Sequence, residues 1–568
     1  MYVPSRVVAV KRQRTPSQPL PAAVFIFRRD FRVTDNTGLL LLIERAGKQS
    51  LPVIPLFFFN PRQCDPDKNP YFGKACFEFL CQSLKHLDTV QLGGRLVCLR
   101  GSDCDCLEVV RSSGYDIKQL GFNRDITPFA RKRDLQLEEW CVKRGVRCVT
   151  SNMDYTLLPP DVVTNKNGKP YRVFSPFYRA VLQEHFSDIQ APNPKATTIG
   201  DIFTGSHVKE DVKATVDQAR RSAMAADEFS SLVDYVDLAA LPQTFPELVD
   251  RGGRSEGLLR LASVASAKNY SAIRDDIPGD KTTHLSPHLK FGTISIREAM
   301  QVALLHLGKE HAFTRQLIWR EFYSMLLYHN PRLALGQLKM DVALQGERQC
   351  RATLANEPFL EKYSNFQWEW NDAEFTAFKS GATGFPLVDA AVRCLTKTGW
   401  CHNRCRMLIA NFLVKVLFVD WREGERWYAT VAVDYDVANN SGGWLWSSGQ
   451  GADAQPYFRF FNPFRQSAQH DPQAVFIKQW VPELRNVSVR TIHKWDVFCK
   501  EGRPADEGTL GTVQGTVKES NGIKKEKTEL PLGGSIVGGS AYPSPIVDLK
   551  QRTKWIVERY KKHAAEVI

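Results

Sequence analysis

No apolar run in this 568-residue chain reaches the ~20 residues that a membrane-crossing helix needs. A membrane is therefore not among its expected partners. Its thirteen cysteines are odd in number and irregularly spaced, and no secretory signal precedes them. They read as reduced thiols of an intracellular protein. Cys401 and Cys405 stand one helical turn apart with Cys394 near, and small buried thiols are the expected reading there rather than a metal site. No GxGxxG follows the first apolar run, so the usual dinucleotide grip is missing. Acids are absent from residues 1–21, where Arg6, Lys11, Arg12 and Arg14 form a basic flexible tail. Its "KRQR" reads as a nuclear address, with a mitochondrial presequence or a plain cytoplasmic tail as alternatives.

What is present is an ordinary globular composition, 43% hydrophobic and 24% charged, in a chain long enough for two domains or more. The net charge of +13 favours a polyanionic partner, because each neutralised phosphate releases counterions.

From Ala22 short apolar runs ("AAVFIF", "LPVIPLFFF", "GRLVCL", "VRCVTS") alternate with amphipathic stretches such as "YFGKACFEFLCQSLKHL". This predicts an α/β domain with a parallel sheet over residues 22–155. Asp35 is placed to cap the helix after the first strand. Residues 156–250 read as a polar interdomain connector, and residues 251–499 follow helical periodicity and carry most of the tryptophans. Residues 500–541, rich in Gly, Lys, Glu and Thr, read as a disordered insertion before a last helix over 542–568.

Several motifs carry chemistry. In "TGWCHNRCRMLIANFLVKVLF", helical spacing puts Trp400, Asn403, Arg404 and Met407 on one side and Leu408, Phe412 and Val416 on an apolar side. Packing needs only the second set, while the first suits the floor of a polar pocket beside an aromatic ligand. Gln316, Trp319 and Arg320 share a helical edge in "QLIWREFY", where Trp319 fits a core role equally well. "DKTTHLSPHLKFG" gathers Thr282, Thr283, His284 and Ser286 before a helix-like segment, an arrangement that suits phosphate oxygens or N-capping. Asp434 and Asp436 in "DYDVANNSGGW" read as a tight loop that hydrogen-bonds a ligand rather than a metal. In "NNSGGWLWSSG", two tryptophans stand one residue apart behind a glycine pair that permits close approach.

Taken together, "TGFPLVDAAVRCLTKTGWCHNRCRM", "DWREGERWY" and "NNSGGWLWSSGQGADAQPYFRFFNP" are similar to the DNA photolyase and cryptochrome family. The resemblance runs from "FIFRRDFRVTDNTGL" to "YPSPIVDLKQR". It implies an N-terminal Rossmann-like antenna domain and a helical domain holding FAD in a U shape. A second antenna chromophore, folate or deazaflavin, is also implied, with "FNRDITPFARKRD" resembling antenna-domain segments. Carried over, Tyr270, Thr282, Thr283, His284, Leu285 and Ser286 match the flavin phosphate grip. Arg320, Asp434 and Asp436 match residues around the flavin, Arg406 pairs with Asp434, and Asn440 faces flavin N5. Trp444, Trp421 and Trp368 match the electron-hopping chain to the surface. Trp446 and Trp319 match the rings that clasp a flipped pyrimidine dimer, and Arg274, Arg404 and Gln466 match DNA contacts.

The family divides by lesion. The (6-4) enzymes resemble one another in two pocket histidines that move a proton. Here those positions are Asn403 and Met407, as in microbial cyclobutane-dimer enzymes, whose chemistry needs an electron rather than acid–base work. The resemblance thus implies a light-driven, monomeric DNA-repair lyase acting on cyclobutane pyrimidine dimers. Gln316 departs from it: cyclobutane enzymes usually place a glutamate there, while (6-4) enzymes and animal cryptochromes resemble Gln316. A (6-4) enzyme or a cryptochrome photoreceptor is therefore the alternative.

Overall fold

The segment "LPAAVFIF" carries apolar side chains on both faces. Ala23, Phe25 and Phe27 enter one core, and Ala22, Val24 and Ile26 enter another. Such a strand is stable only in mid-sheet with helices covering both sides. The computed structural model describes residues 18–193, 207–226, 233–243, 245–334, 363, 366–453, 459–501 and 542–566. In it this segment is β1 (Leu20–Phe27), followed by β2 (Val53–Phe59), β3 (Val97–Arg100), β4 (Tyr115–Asn123) and β5 (Arg147–Ser151). A short β6 (Asp234–Tyr235) completes the sheet, whose order is β5-β4-β1-β2-β3-β6. All neighbours are parallel except β6, which runs antiparallel to β3.

Two expectations need correction. Residues 156–250 are not merely a connector, since they supply β6 and the helices Phe174–Gln183 and Val208–Ala226. Val208, Val212 and Val216, spaced by one helical turn in a polar stretch, bury into the core on the side of β6 and the helix Asp103–Ser112. Asn36, not Asp35, caps the helix Thr37–Gly47, accepting the Leu39 amide. Asp35 sits at positive φ and turns its carboxylate to Arg297, 3.1 Å away.

The second layer is a helical domain with one large apolar core, which also takes in Leu157, Leu158 and the helix Phe174–Gln183. The two domains meet along an ion-paired seam at the end of β1. Arg32 donates to the Gly292 carbonyl (3.0 Å) and to Asp154 (2.7 Å), and Arg297 pairs with Asp35 and with Asp154 (3.3 Å). Arg29 reaches Asp125 and, in the helical domain, Asp436, each at 2.9 Å. The predicted insertion falls mostly on 502–541, outside the described residues, as does the tail over 1–17. Its flanks touch: Trp495 Nε1 donates to the Pro543 carbonyl (2.9 Å), Lys500 pairs with Asp548, and Tyr542 donates to Asp389. The last helix, Leu549–Glu566, packs Ile556 and Tyr560 onto Phe418.

Candidate active site

"NNSGGWLWSS" is not a loop but most of a helix, Val437–Ser448, ended by Gly449 in the left-handed region. The glycine pair misled the reading, because glycine in a helix interior costs about 1 kcal/mol relative to alanine. Tyr323 packs so closely on Gly442 that a Cβ there would meet its ring at 2.2 Å, whereas a Cβ on Gly443 would meet nothing within 4 Å. Gly443 therefore opens onto space beside Asn440.

Asp436 caps this helix, accepting the Asn439 amide at 3.1 Å. Burial pushes its carboxyl up, but Arg29, Lys290 and Arg320 outweigh that and hold it well below the usual carboxylate range. Asp434, two residues earlier, takes a two-pronged bond from Arg406 Nη1 (3.0 and 2.9 Å). Burial alone would lower the Arg406 pKa; Asp434 more than offsets it, so the guanidinium stays charged. Arg320 donates to the Tyr155 carbonyl at 2.7 Å.

Asn440 accepts from Trp444 Nε1 through its side-chain oxygen (3.1 Å) and donates to both the carbonyl and the carboxyl of Glu425 (3.1 Å each). These bonds orient the amide. Glu425 also receives the Tyr435 hydroxyl, and burial pushes its carboxyl up to about 7 against those hydrogen bonds. Sequence reasoning missed Glu425, because "REGER" reads as a solvated charge run. Its signal was the i, i+4 spacing from Trp421, which is itself buried. Gly424 was missed as well. Trp444 lies against it, and a Cβ there would meet the indole at 2.3 Å.

His284 lies at positive φ with its ring stacked on Trp400, centroids 3.9 Å apart. Trp400 thus precedes the helix Asn403–Lys415 and does not share its polar side. Asp250 and Asp280 grip the two His284 nitrogens at 3.0 and 2.9 Å. Burial would lower its pKa, yet the two carboxylates raise it to about 9 and keep the ring cationic at neutral pH. Leu285 gives no side-chain cap to the short helix Ser286–Phe291. Thr283 is half-buried and Ser286 exposed nearby. Thr282 bonds Asp280 at 2.9 Å, and Tyr270 packs its edge on Phe313.

On the outer side, Asn403 donates to the Met407 sulfur at 3.5 Å, and Arg404 pairs with Asp275 at 2.7 Å. Arg274 lies beside Asp275 (4.0 Å), and Gln466 Oε1 is buried without a hydrogen-bond partner. Trp319 stacks one face on Phe174 (3.6 Å, 7°), and Trp446 is half-buried. Gln316 donates to the Ala312 carbonyl of its own helix at 3.4 Å. Trp368 packs on Phe418, three residues before Trp421. Among the described residues, no three His, Cys, Asp or Glu side chains are grouped to hold a metal.

These features fit a flavin nucleotide. The helix start without a side-chain cap beside a histidinium suits its phosphates, and the gap at Gly443 borders an oriented amide. The Tyr428 hydroxyl, buried without a partner, lies near Arg406 and Asp434. The class so defined is a two-domain flavoprotein, with an α/β layer ion-paired to the helices that receive the cofactor.

Comparison with known proteins narrows the class. Residues 313–562 match the FAD binding domain of DNA photolyase, and residues 23–195 match DNA photolyase. The deoxyribodipyrimidine photo-lyase of Synechococcus is 33% identical over 85% of this chain and 92% of its own. That of Escherichia coli is 31% identical over 84% and 93%. The solved archaeal photolyase of Sulfolobus tokodaii, described with two FAD molecules, superposes with a TM-score of 0.68 at 32% identity, covering 95% of this chain and all of that one. The chain belongs to the DNA photolyase family, and its cofactor is FAD.

Proposed function

We propose that this protein repairs cyclobutane pyrimidine dimers in DNA under blue light. The observation that carries the reading is the Asn403–Met407 contact, a pocket wall without a titratable proton. The adjacent His402 does not replace the missing histidines. It is buried at the helix start, its Nδ1 accepts the Arg404 amide, and burial lowers its pKa. The Synechococcus and E. coli relatives, both named deoxyribodipyrimidine photo-lyase, support the same choice.

FAD bound at this site in its reduced form would supply a light-excited one-electron donor for opening the dimer. The protein arranges everything around that exchange. His284 and the Ser286 helix start would hold the phosphates, the Arg406–Asp434 pair and Asn440 would border the ring system, and Trp444, Trp421 and Trp368 would carry electrons inward to keep it reduced. Trp319 and Trp446 clasp the extruded dimer, while Arg274, Arg404 and Gln466 hold the backbone. Extrusion costs a few kcal/mol, less for a distorted dimer; photolyases are among the standard examples of base flipping.

A second chromophore, whether folate, deazaflavin or a second flavin, belongs at the carboxyl ends of the strands, where open α/β sheets bind ligands. There Arg28, buried over Phe122 at 4.3 Å, leaves Nε and Nη2 without a hydrogen bond. The protein acts as a monomer, and its basic tail addresses it to the nucleus. Gln316 favours a second reading, a (6-4) enzyme or photoreceptor. The deciding experiment incubates purified protein with DNA carrying either lesion, in light and in dark. Loss of cyclobutane dimers in light alone is expected; loss of (6-4) lesions instead, or of neither, overturns the proposal.

A further inference from the structure

Trp368, the outermost ring of the expected hopping chain, is not the outermost indole of its segment. Trp370, two residues on, is 52% exposed, the one tryptophan among the exposed large apolar residues. Trp368 is half-covered instead, caged by Phe366 (4.7 Å) and Phe418 (5.3 Å) beneath the C-terminal helix. Four oxidisable rings stand around this cage or beside it in the chain: Tyr363, which stacks on His563 and meets Phe366 only at 5.8 Å, Trp555, Tyr560 and Trp370; the surroundings of the last three decide among them.

Trp555 packs on Phe418 at 5.3 Å, but Arg552 and Arg559 lie over its ring at 5.6 and 5.0 Å. Each guanidinium is paired, Arg552 with Glu374 and Arg559 with Glu369 (2.7 Å), so those carboxylates are committed to the arginines, and the guanidiniums nearest the ring resist a further positive charge on it. Tyr560 packs on Phe366 at 4.7 Å, yet it is buried and its hydroxyl donates to the Ser448 carbonyl (3.0 Å), a group that cannot take a proton. Oxidised tyrosine must lose that proton. Trp370 differs on both counts. Its Nε1 donates to an Asp372 carboxylate oxygen at 2.8 Å, and its ring rests on Phe375 (4.9 Å). An anion at the indole N–H stabilises the developing cation and accepts its proton. One intervening residue keeps the two α-carbons within ~7 Å.

We infer that Trp370, with Asp372 as proton acceptor, is the solvent-side terminus of flavin photoreduction in this protein. This rests on Trp368 being part of the chain, as proposed above. Trp370 gives one electron to the Trp368 radical cation, and its Nε1 proton passes to the Asp372 carboxylate. Trp368 is thereby restored and a neutral Trp370 radical is left at the surface. An external thiol returns one electron and one proton to it.

The test follows tryptophan radicals by transient absorption in flavin-loaded full-length protein after a blue flash. Trp370→Phe should shorten the radical lifetime by about tenfold, a change equal to ~1.4 kcal/mol on the recombination barrier. Asp372→Asn should slow radical deprotonation while leaving radical formation intact. Trp370→Tyr should give a tyrosyl signal by electron paramagnetic resonance, which a structural role for Trp370 would not produce. Trp368→Phe is the control. If it leaves radical formation intact, the hopping chain itself is misassigned and the inference goes with it. If it abolishes the radical while Trp370→Phe matches the parent, the hole leaves from Trp368 and only the Trp370 inference fails.

Discussion

The proposed division of work among individual side chains requires that single substitutions separate it. Trp444→Phe should abolish photoreduction of oxidised flavin while sparing repair by chemically reduced protein, and Trp446→Ala should do the reverse; paired photoreduction and repair assays check both. Gln316→Glu restores the group usual in cyclobutane enzymes and should retain or raise the quantum yield of dimer repair without creating (6-4) activity. Glu425 offers a pH test. Its folded-state pKa of about 7 exceeds the ordinary 4.5 because burial disfavours its charge. The folded protein thus binds the proton more tightly than the unfolded chain, and stability falls as pH rises from 4.5 through 7. The shift corresponds to ~3 kcal/mol. Glu425→Gln should flatten the Tm profile between pH 5 and 8; an unchanged slope would assign the titration to another group. Of this residue-level picture, the sequence exposed the tryptophans and the Arg406–Asp434 pair through their motifs. Glu425 and the two anions on His284 stayed hidden. Burial gives them their roles, and a charge run does not show which member turns inward.

Helices set the distances that those side chains use. The Val437–Ser448 helix lies against Trp421–Val431 because Gly424 leaves room for the Trp444 ring. Gly424→Ala should overpack this contact at a cost of ~1–3 kcal/mol, lowering Tm and photoreduction together. Gly443→Ala meets open space and should stabilise the flavin-free protein by up to ~1 kcal/mol, yet weaken FAD binding as followed by fluorescence titration. Opposite signs from two helix-interior glycines would show that one serves packing and the other the cofactor. The strands were legible because their apolar runs are continuous. The helix Val208–Ala226 was not, because its three buried valines are diluted among charged residues. The Val437–Ser448 helix was misread because glycine propensity argued against what tertiary packing imposes.

The two domains share a seam whose charges are almost wholly buried, with Arg297, Asp35 and Asp154 each at most 2% exposed along their side chains. Arg297→Ala would leave the buried Asp35 carboxylate without its cationic partner, while Asp154 keeps Arg32, and should cost ~3–5 kcal/mol, with FAD released before or together with thermal unfolding. A seam that survives this loss would place the coupling at Arg29 and Asp436 instead. Nothing in the spacing of Arg29 and Asp436, 407 residues apart, announced their contact. Elsewhere, the described chain leaves off at Glu501 and resumes at Tyr542 with flanking side chains that already touch. Exit and re-entry thus share one address, held by Trp495 and Pro543 whatever joins them. Each doubling of the length of a chain connection adds only ~0.6 kcal/mol of closure entropy, so the two ends stay joined at a cost almost independent of the length between them. A variant in which a short bridge replaces residues 502–541 should therefore keep the parent Tm, and a thermal melt checks it.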